Sequence, residues 1–447
     1  MKKQQLYLIA PEREGLLQGN PYSLLYLAEW ARRFTNCDVQ IVNNISAIPS
    51  EGLIYVGITV TTPTYRKGLE LATEVKEINP GSKIILGGPH TRSQGDIIYH
   101  YHPNIDYVVE GSGEKALVEI LQGIPSGVIK GEPLTSGEMD SLSISDLINL
   151  DGPYFGTLRQ FGRINYISSI GCSYKCSFCA SSGKLTAKSV TAILDDLETL
   201  STEGFSEVSI QDNYFGYRTE RIKEICKGIL QRGLHLNFDC QTRVESMQDP
   251  GLIELMKRAG CGAAYIGVEN FHPKALRMLG KTRNSECYPN MIEKAVHNLL
   301  RAYIIPLPNL QVGLPAEDSN IRAINIRSLK QLGRLAAHYN TAIPLYTHLN
   351  VVYPGTPDYY TMIAKGVSED VYERFTFWSE IIDKEIDLLI RRNHFIHGAG
   401  GIPLGVMDFD SVKNQEFRID HHKICQIDEY LEEIGNIENI RMHVHSS

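Results

Sequence analysis

No apolar run in this sequence approaches the roughly 20 residues that a membrane-spanning helix needs. Residues 1–11 carry two lysines and a short apolar stretch, but no small-residue cleavage site follows, so the stretch reads as a first strand. These absences lead to the expectation of a cytoplasmic protein. An excess of positive charge is also lacking. The chain has 44 Lys and Arg against 52 Asp and Glu, a formal charge of −8, with no electrostatic reason for bulk binding to nucleic acid or anionic membrane. The nine cysteines among 447 residues are too sparse and uneven for a disulfide scaffold. No Gly-x-Gly-x-x-Gly follows the first strand, and no Gly-x-x-x-x-Gly-Lys-Ser/Thr occurs, which leaves dinucleotide and nucleoside-triphosphate readings without support.

What is present is ordinary globular composition, 43% apolar and 21% charged, over a length that calls for at least two domains. Over residues 6–121 short apolar runs at 6–10, 39–42, 53–60, 83–86 and 107–109 alternate with helical patterns at 21–34, 67–78 and 114–121. That alternation predicts an α/β fold with a mainly parallel sheet covered on both faces. Ligands of such folds lie at the strand ends. Here those ends carry Thr59, Thr61 and Thr62, then Gly87-Gly88-Pro89-His90, then Glu110-Gly111-Ser112-Gly113. The glycines let backbone approach a bulky group, and the hydroxyls offer uncharged hydrogen bonds; tight strand-to-helix turns are the plainer reading. These blocks resemble the cobalamin-binding domain that precedes the catalytic domain in many radical SAM enzymes. The resemblance implies that Thr59, Thr61, Thr62, Gly87, Gly88, Pro89, His90, Glu110, Gly111 and Gly113 surround cobalamin. It also meets a departure, since the loop Pro11-Glu12-Arg13-Glu14-Gly15-Leu16 has no histidine to ligate cobalt from below. That fits cobalamin bound without a histidine, and equally a domain that keeps only the shape.

The composition changes at about Gln122, where glycine and proline punctuate a polar stretch. The expected divisions are a Rossmann-like domain over 1–125, a linker over 126–160, a catalytic domain over 161–367 and a small, mainly helical C-terminal segment over 368–447 that caps the barrel or lines substrate access. After a strand at 164–170 comes Gly171-Cys172-Ser173-Tyr174-Lys175-Cys176-Ser177-Phe178-Cys179. Three thiolates on one tight loop suit three irons of a [4Fe–4S] cluster, with the fourth iron left open. A zinc site wants a fourth ligand, often in a second pair, and no matching pair lies nearby. The Cys-x-x-x-Cys-x-x-Cys spacing, with an aromatic before the third cysteine, resembles the radical SAM superfamily. Downstream, strands at 207–211, 236–240, 263–267 and 304–312 alternate with helices and end in polar residues, the pattern of a partial (βα)6 barrel.

The resemblance implies a site. Cys172, Cys176 and Cys179 hold the cluster. Asp212 and Asn213 meet the amine of S-adenosylmethionine (SAM), Arg243 its carboxylate, and Glu269 its ribose or amine. Tyr174 lies on the cluster loop, Phe178 packs near adenine, and Gln311 and Gly313 complete the adenine side. Each of the polar residues has a plainer reading as a cap or a buried ion-pair member. Tyr346, His348 and Asn350 alternate along a last strand, as candidates for substrate contact or for structural hydrogen bonds.

Taken together, the resemblance implies a cobalamin-dependent radical SAM methyltransferase. It would act on an unactivated carbon of a small metabolite or natural-product intermediate through a 5′-deoxyadenosyl radical. A flavodoxin or ferredoxin would donate the electron, and nucleic acid is not an expected partner. Rearrangement, ring contraction or cyclisation, with cobalamin in another role or absent, would leave the same motifs. A non-catalytic cluster scaffold is the reading from another class.

Overall fold

The computed structural model describes residues 3–11, 22–150, 152–181, 183–389 and 401–442. Two parallel sheets organise it. The first comprises β1 (Gln4–Ile9), β2 (Cys37–Ile41), β3 (Tyr55–Thr59), β4 (Lys83–Gly87), β5 (Tyr107–Gly111) and β6 (Gly127–Gly131), in the order β2-β1-β3-β4-β5-β6. Its central strands are apolar on both sides: Leu6, Tyr7, Leu8 and Ile9 are all buried, as are Val56 and Ile58. Helices on both faces require this, because neither side of the sheet meets water. The strand order reverses between β1 and β3, so the crevice of this sheet opens at their carboxyl ends.

The stretch expected to be a linker is more structured than its composition suggested. It supplies β6, which extends the first sheet to Gly131, and then the helices Ser136–Ser141, Ile144–Leu150 and Gly152–Phe161. The strand was hidden because Gly127 and Gly131 bracket only three residues. Gly131 is needed for packing, since a Cβ there would lie 1.8 Å from the Ser112 carbonyl oxygen.

The second sheet begins with β7 (Arg163–Tyr166). The expected strand at 164–170 is broken, and its end becomes β8 (Ser169–Ile170), paired antiparallel with β9 (Thr186–Ala187). The sheet continues through β10 (Glu207–Ile210), β11 (Asn237–Arg243), β12 (Cys261–Glu269), β13 (Ile305–Val312) and β14 (Ile343–Leu349), all parallel. These six strands and their helices are the partial barrel that the pattern predicts. A seventh strand, β15 (Ile440–Met442), adds to the β14 edge, so the C-terminal segment joins the sheet as well as contributing helices. Among the described residues no helix is long and apolar enough to cross a membrane.

Two seams fix the sheets relative to each other. Along one, the helix Tyr22–Phe34 sends Tyr22, Leu25, Tyr26 and Trp30 into the apolar core that contains Leu142, Leu147 and Leu197 of the barrel side. Along the other, Glu373 on the helix Val371–Leu389 accepts from Tyr65 Oη at 2.9 Å and pairs with His102 Nε2 at 2.7 Å, while Gln94 donates to Tyr359 Oη at 2.8 Å. Within the barrel wall, Lys188 and Asp196 form a buried pair at 2.6 Å. Asp196 also accepts from Tyr166 Oη and Ile144 N, each at 2.8 Å, so its carboxylate is satisfied without water. Asp196→Ala would leave the Lys188 ammonium buried without its counter-charge, held only by the Leu142 carbonyl. It should cost about 3–5 kcal/mol of unfolding free energy in urea titration, against near-neutral substitutions at exposed Asp195.

Candidate metal and cofactor centre

The three cysteines sit on the irregular connection between β8 and β9. Gly171 opens it at φ +85°, where a Cβ would lie 2.4 Å from the Lys184 carbonyl oxygen, so only glycine lets the loop close on itself. Cys176 is buried, Cys172 and Cys179 are half-buried, and all three are free thiols. The loop is tied down at Ser177. Ser177 N donates to Leu279 O at 2.9 Å, Ser177 Oγ to Asp358 Oδ2 at 3.0 Å, and Asp358 N returns a bond to Ser177 O at 2.9 Å. Among the described residues no three His, Cys, Asp or Glu side chains converge on a single metal ion. A cluster places each thiolate on a different iron and does not ask three sulfurs to meet at one centre.

Asp212 and Asn213, expected to act together, are separated by the structure. Asp212 is fully buried and its carboxylate is consumed by Ser168 and Ser169, whose N–H and Oγ groups all donate to it at 2.6–2.9 Å. Burial pushes its carboxyl up, and the serine hydrogen bonds with the Arg221 charge pull it back. In this arrangement it braces the chain that enters the cysteine loop. Asn213 does face the loop, accepting from Gly171 N and donating to Ser181 Oγ, both at 3.0 Å.

Arg243, at the end of β11, lies with its guanidinium 3.5 Å above the Tyr174 ring centroid. One Nη stands 3.6 Å from Cys176 Sγ; the other donates to Glu245 Oε1 at 2.8 Å and to the Lys281 carbonyl. Its Nε and Glu245 Oε2 are buried without partners. Burial pushes the Cys176 thiol up, while the Lys281 and Arg243 charges favour its thiolate.

Glu269 ends β12 at φ +64°, after a register shift between Gly267 and Glu269. Its carboxylate accepts from Lys281 Nζ and Gln311 Nε2, each at 3.0 Å, and Gln311 Oε1 accepts from Asn350 Nδ2 at 2.7 Å. One hydrogen-bonded line therefore crosses β12, β13 and the end of β14. Asn350, proposed as a substrate contact, is engaged in this line and borders a cavity of about 690 Å³. Leu314, Pro315, Ser177, Met407 and Phe409 also border it. Phe178 packs on Leu279 and Leu314 beside it.

The outer wall of this cavity comes from the C-terminal segment. Residues 401–420 are laid across the ends of β13 and β14 by the bridge Val352–Ile402, and a Cβ on Gly405 would lie 1.7 Å from the Gly313 carbonyl oxygen. Gly313 itself is at φ +68°. Inside the barrel, Tyr346 is near Tyr265 at 5.6 Å between ring centroids, and its register partner is Asn309; His348 is half-buried opposite Gln311. Facing them is a ladder that sequence reasoning missed because its members are distant in the chain. Gln241 donates to Gln211, Gln211 to Ser209, and Ser209 to Asp239, at 2.6–2.8 Å.

The carboxyl ends of the first sheet turn toward this centre. Arg92, in the turn after β4, donates to the Ala180 carbonyl just beyond Cys179, and Gly355 at the end of the β14 turn lies against Arg92 and Ser93. Thr59, Thr61, Gly87, Pro89, Glu110, Gly111 and Gly113 all lie along this edge. Several have structural work. Thr61 and Thr64 cap each other, Glu110 accepts from Gly95 N at 2.8 Å, and a Cβ on Gly88 would lie 2.5 Å from the Val60 carbonyl oxygen. His90 points away from the edge. It is fully buried, stacked on Tyr65 at 4.0 Å, edge-on to Tyr372, and its Nδ1 meets Thr62 Oγ1 at 3.2 Å. His90 and the buried Thr62 therefore pack beneath the edge. The residues 12–16 of the loop without histidine fall outside the described residues.

Comparison with known proteins follows these two sites. Residues 19–121 match the B12 binding domain family, and residues 166–318 match the Radical SAM superfamily. The chain is 27% identical over 400 residues to an uncharacterised methyltransferase of Pyrococcus horikoshii, covering 80% of this chain and 82% of that one. It is 24% identical to an anaerobic magnesium-protoporphyrin IX monomethyl ester cyclase of Rubrivivax gelatinosus, over 60% of this chain and 56% of the other. Among solved structures it resembles the radical S-adenosylmethionine methyltransferase TsrM of Kitasatospora setae, with cobalamin and a [4Fe-4S] cluster bound. The TM-score is 0.62 at 18% identity, covering 80% and 77% of the two chains, a likeness of fold.

Burial pushes the His90 imidazole down to about 3, below its ordinary 6.5. Its neutral form is the folded form, so the contribution is fully present above pH 6.5. It is lost as pH falls toward 3, because the unfolded chain takes up the proton first. Unfolding free energy between pH 6 and 4.5 should carry a slope of about 1.4 kcal/mol per unit from this residue, and His90→Phe should remove that part of the slope in urea titrations. A second expectation concerns Asp212→Asn. Unfolding free energy should fall by about 1–3 kcal/mol, the loss expected when a buried hydrogen-bond set is left incomplete.

Proposed function

Because the chain belongs to the radical SAM superfamily and carries a B12-binding domain ahead of the radical SAM domain, we propose that it is a cobalamin-dependent methyltransferase. Its substrate class would be a small metabolite or natural-product intermediate methylated at an unactivated carbon. The observation that carries this reading is the seam at Arg92, Ala180 and Gly355, where the ligand-binding edge of the first sheet abuts the cysteine loop. Three free thiols on one loop, with the unpaired Arg243 Nε and Glu245 Oε2 beside them, fit a cluster and a zwitterionic co-substrate. When bound, the cluster supplies an electron that opens a carbon–sulfur bond of SAM, and cobalamin supplies a transferable methyl group.

The chain's own residues position and enclose. Cys172, Cys176 and Cys179 would each hold an iron. Arg243 would take the SAM carboxylate, since its Nε lacks a partner and its plane is fixed by Tyr174. Asn213 is the better placed of the Asp212–Asn213 pair to meet the amine, because it faces the loop. Glu269, held by Lys281 and Gln311, would accept from the ribose or amine. Phe178 and Gly313 would bound the adenine, with the cavity by Asn350 giving it room. Tyr346 and His348, with Gln241 and Tyr265 across the barrel, would face substrate. The edge residues Thr59, Thr61, Gly87, Gly88, Pro89, Glu110, Gly111 and Gly113 would border the corrin, with His90 and Thr62 supporting them from the core. A flavodoxin or ferredoxin would be the donor.

A second reading, ring formation in place of methyl transfer, has support in the likeness to the cyclase. Anaerobic reconstitution with iron, sulfide and hydroxocobalamin, then desalting, separates these from a cofactor-free first domain. The expected content is about four irons and about one corrin per chain. Irons without corrin would overturn the cobalamin-dependent mechanism. Cys176→Ala should lose the iron and keep the corrin. With corrin retained, SAM labelled in its methyl group should pass label to a product, whereas a cyclase would release none.

A further inference from the structure

Lys281 belongs to none of the motifs, and its surroundings are unusual for a lysine. Its side chain is 5% exposed, although lysine heads are seldom removed from water without a purpose. Its ammonium bonds Glu269 Oε1 at 3.0 Å. Room for it exists because residue 267 is glycine: a Cβ there would lie 2.3 Å from Lys281 Nζ. Its backbone is used as well, since the Lys281 carbonyl accepts from Arg243. Its neighbour Gly280 lies against the cysteine loop, where a Cβ would be 3.1 Å from Lys175 O and 3.8 Å from Cys176 Cα, and the Arg243 that touches the Lys281 carbonyl stands 3.6 Å from Cys176 Sγ.

Glu269 explains why such a residue is needed. It follows a register shift and sits at φ +64°, a backbone conformation that non-glycine residues adopt at a cost. A buried carboxylate there, without a cation, would have only the Gln311 amide to hold it. Lysine gives it a counter-charge and a fixed direction. The same ammonium adds positive charge beside a thiolate-ligated centre, where charge stabilises the reduced, more negative state.

We propose that Lys281 is a positioning residue of the radical SAM site, aiming Glu269 at SAM and raising the reduction potential of the cluster on Cys176. The proposal rests on the radical SAM reading given above. Lys281→Gln should keep its iron content. It should bind labelled SAM about tenfold more weakly by equilibrium dialysis, in the range for loss of a residue that orients a ligand-holding side chain. Its cluster midpoint, followed by EPR during redox titration, should move to more negative potential. Lys281→Arg should restore most of both. Glu269→Gln removes the opposite charge, so it should also weaken SAM binding but move the midpoint to more positive potential. That opposition of sign separates an electrostatic role from a general loss of packing. SAM affinity and midpoint of Lys281→Gln equal to the parent would overturn the proposal. So would midpoint shifts of the same sign in the two charge-removing variants. Should Lys281→Gln not fold, the direction of the Glu269→Gln shift decides: a negative or absent shift overturns the proposal. A parent chain that takes up no cluster or binds no SAM overturns the superfamily reading itself, and the proposal with it.

Discussion

The cation of Arg243 is the interaction on which the rest of the centre depends. The cysteine loop has no regular structure over Cys172–Cys179, so its geometry must be imposed from outside. Arg243 does this from the end of β11 by touching three things at once: the Tyr174 ring, the Cys176 sulfur and the Lys281 carbonyl. A guanidinium suits the task because its donors lie in one rigid plane while its face stacks on an aromatic ring. Through it the loop, the barrel strands and the turn after the helix Pro273–Met278 become one polar assembly.

Two further constraints make that assembly rigid. Below it, Asp212 takes four hydrogen bonds from Ser168 and Ser169 and so fixes the chain where it leaves β7 for the loop. Beside it, the line from Lys281 through Glu269 and Gln311 to Asn350 ties three neighbouring strand ends. Buried polar groups stabilise a unique arrangement when every member is satisfied. Among the buried polar atoms left without a partner, Arg243 Nε and Glu245 Oε2 belong to the pair that reaches the cysteine loop. The first sheet is then brought to this place by its own docking contacts, through Glu373 and Tyr359 at one seam and Trp30 at the other.

Much of this architecture was legible, because doubly covered parallel strands leave continuous apolar runs and three cysteines in a tight spacing leave few alternatives. The placements that local pattern did not show have physical causes. β6 is five residues that begin and end in glycine, and its place is decided by pairing with β5. Asp212 and Asn213 are adjacent, yet one turn of backbone sends the first into the core and the second to the loop. His90 shares a glycine-rich turn with residues at the sheet edge, but its ring is claimed by Tyr65 and Tyr372 from distant segments. Lys281 left no local signal, because its meaning lies in partners far along the chain.

The most direct test of the account is EPR of the reduced, reconstituted protein with and without SAM. The account predicts the signal of a reduced [4Fe–4S] cluster that changes on adding SAM, because an iron left open by three cysteines takes the co-substrate beside Arg243. A cluster signal that SAM leaves unaltered would contradict it.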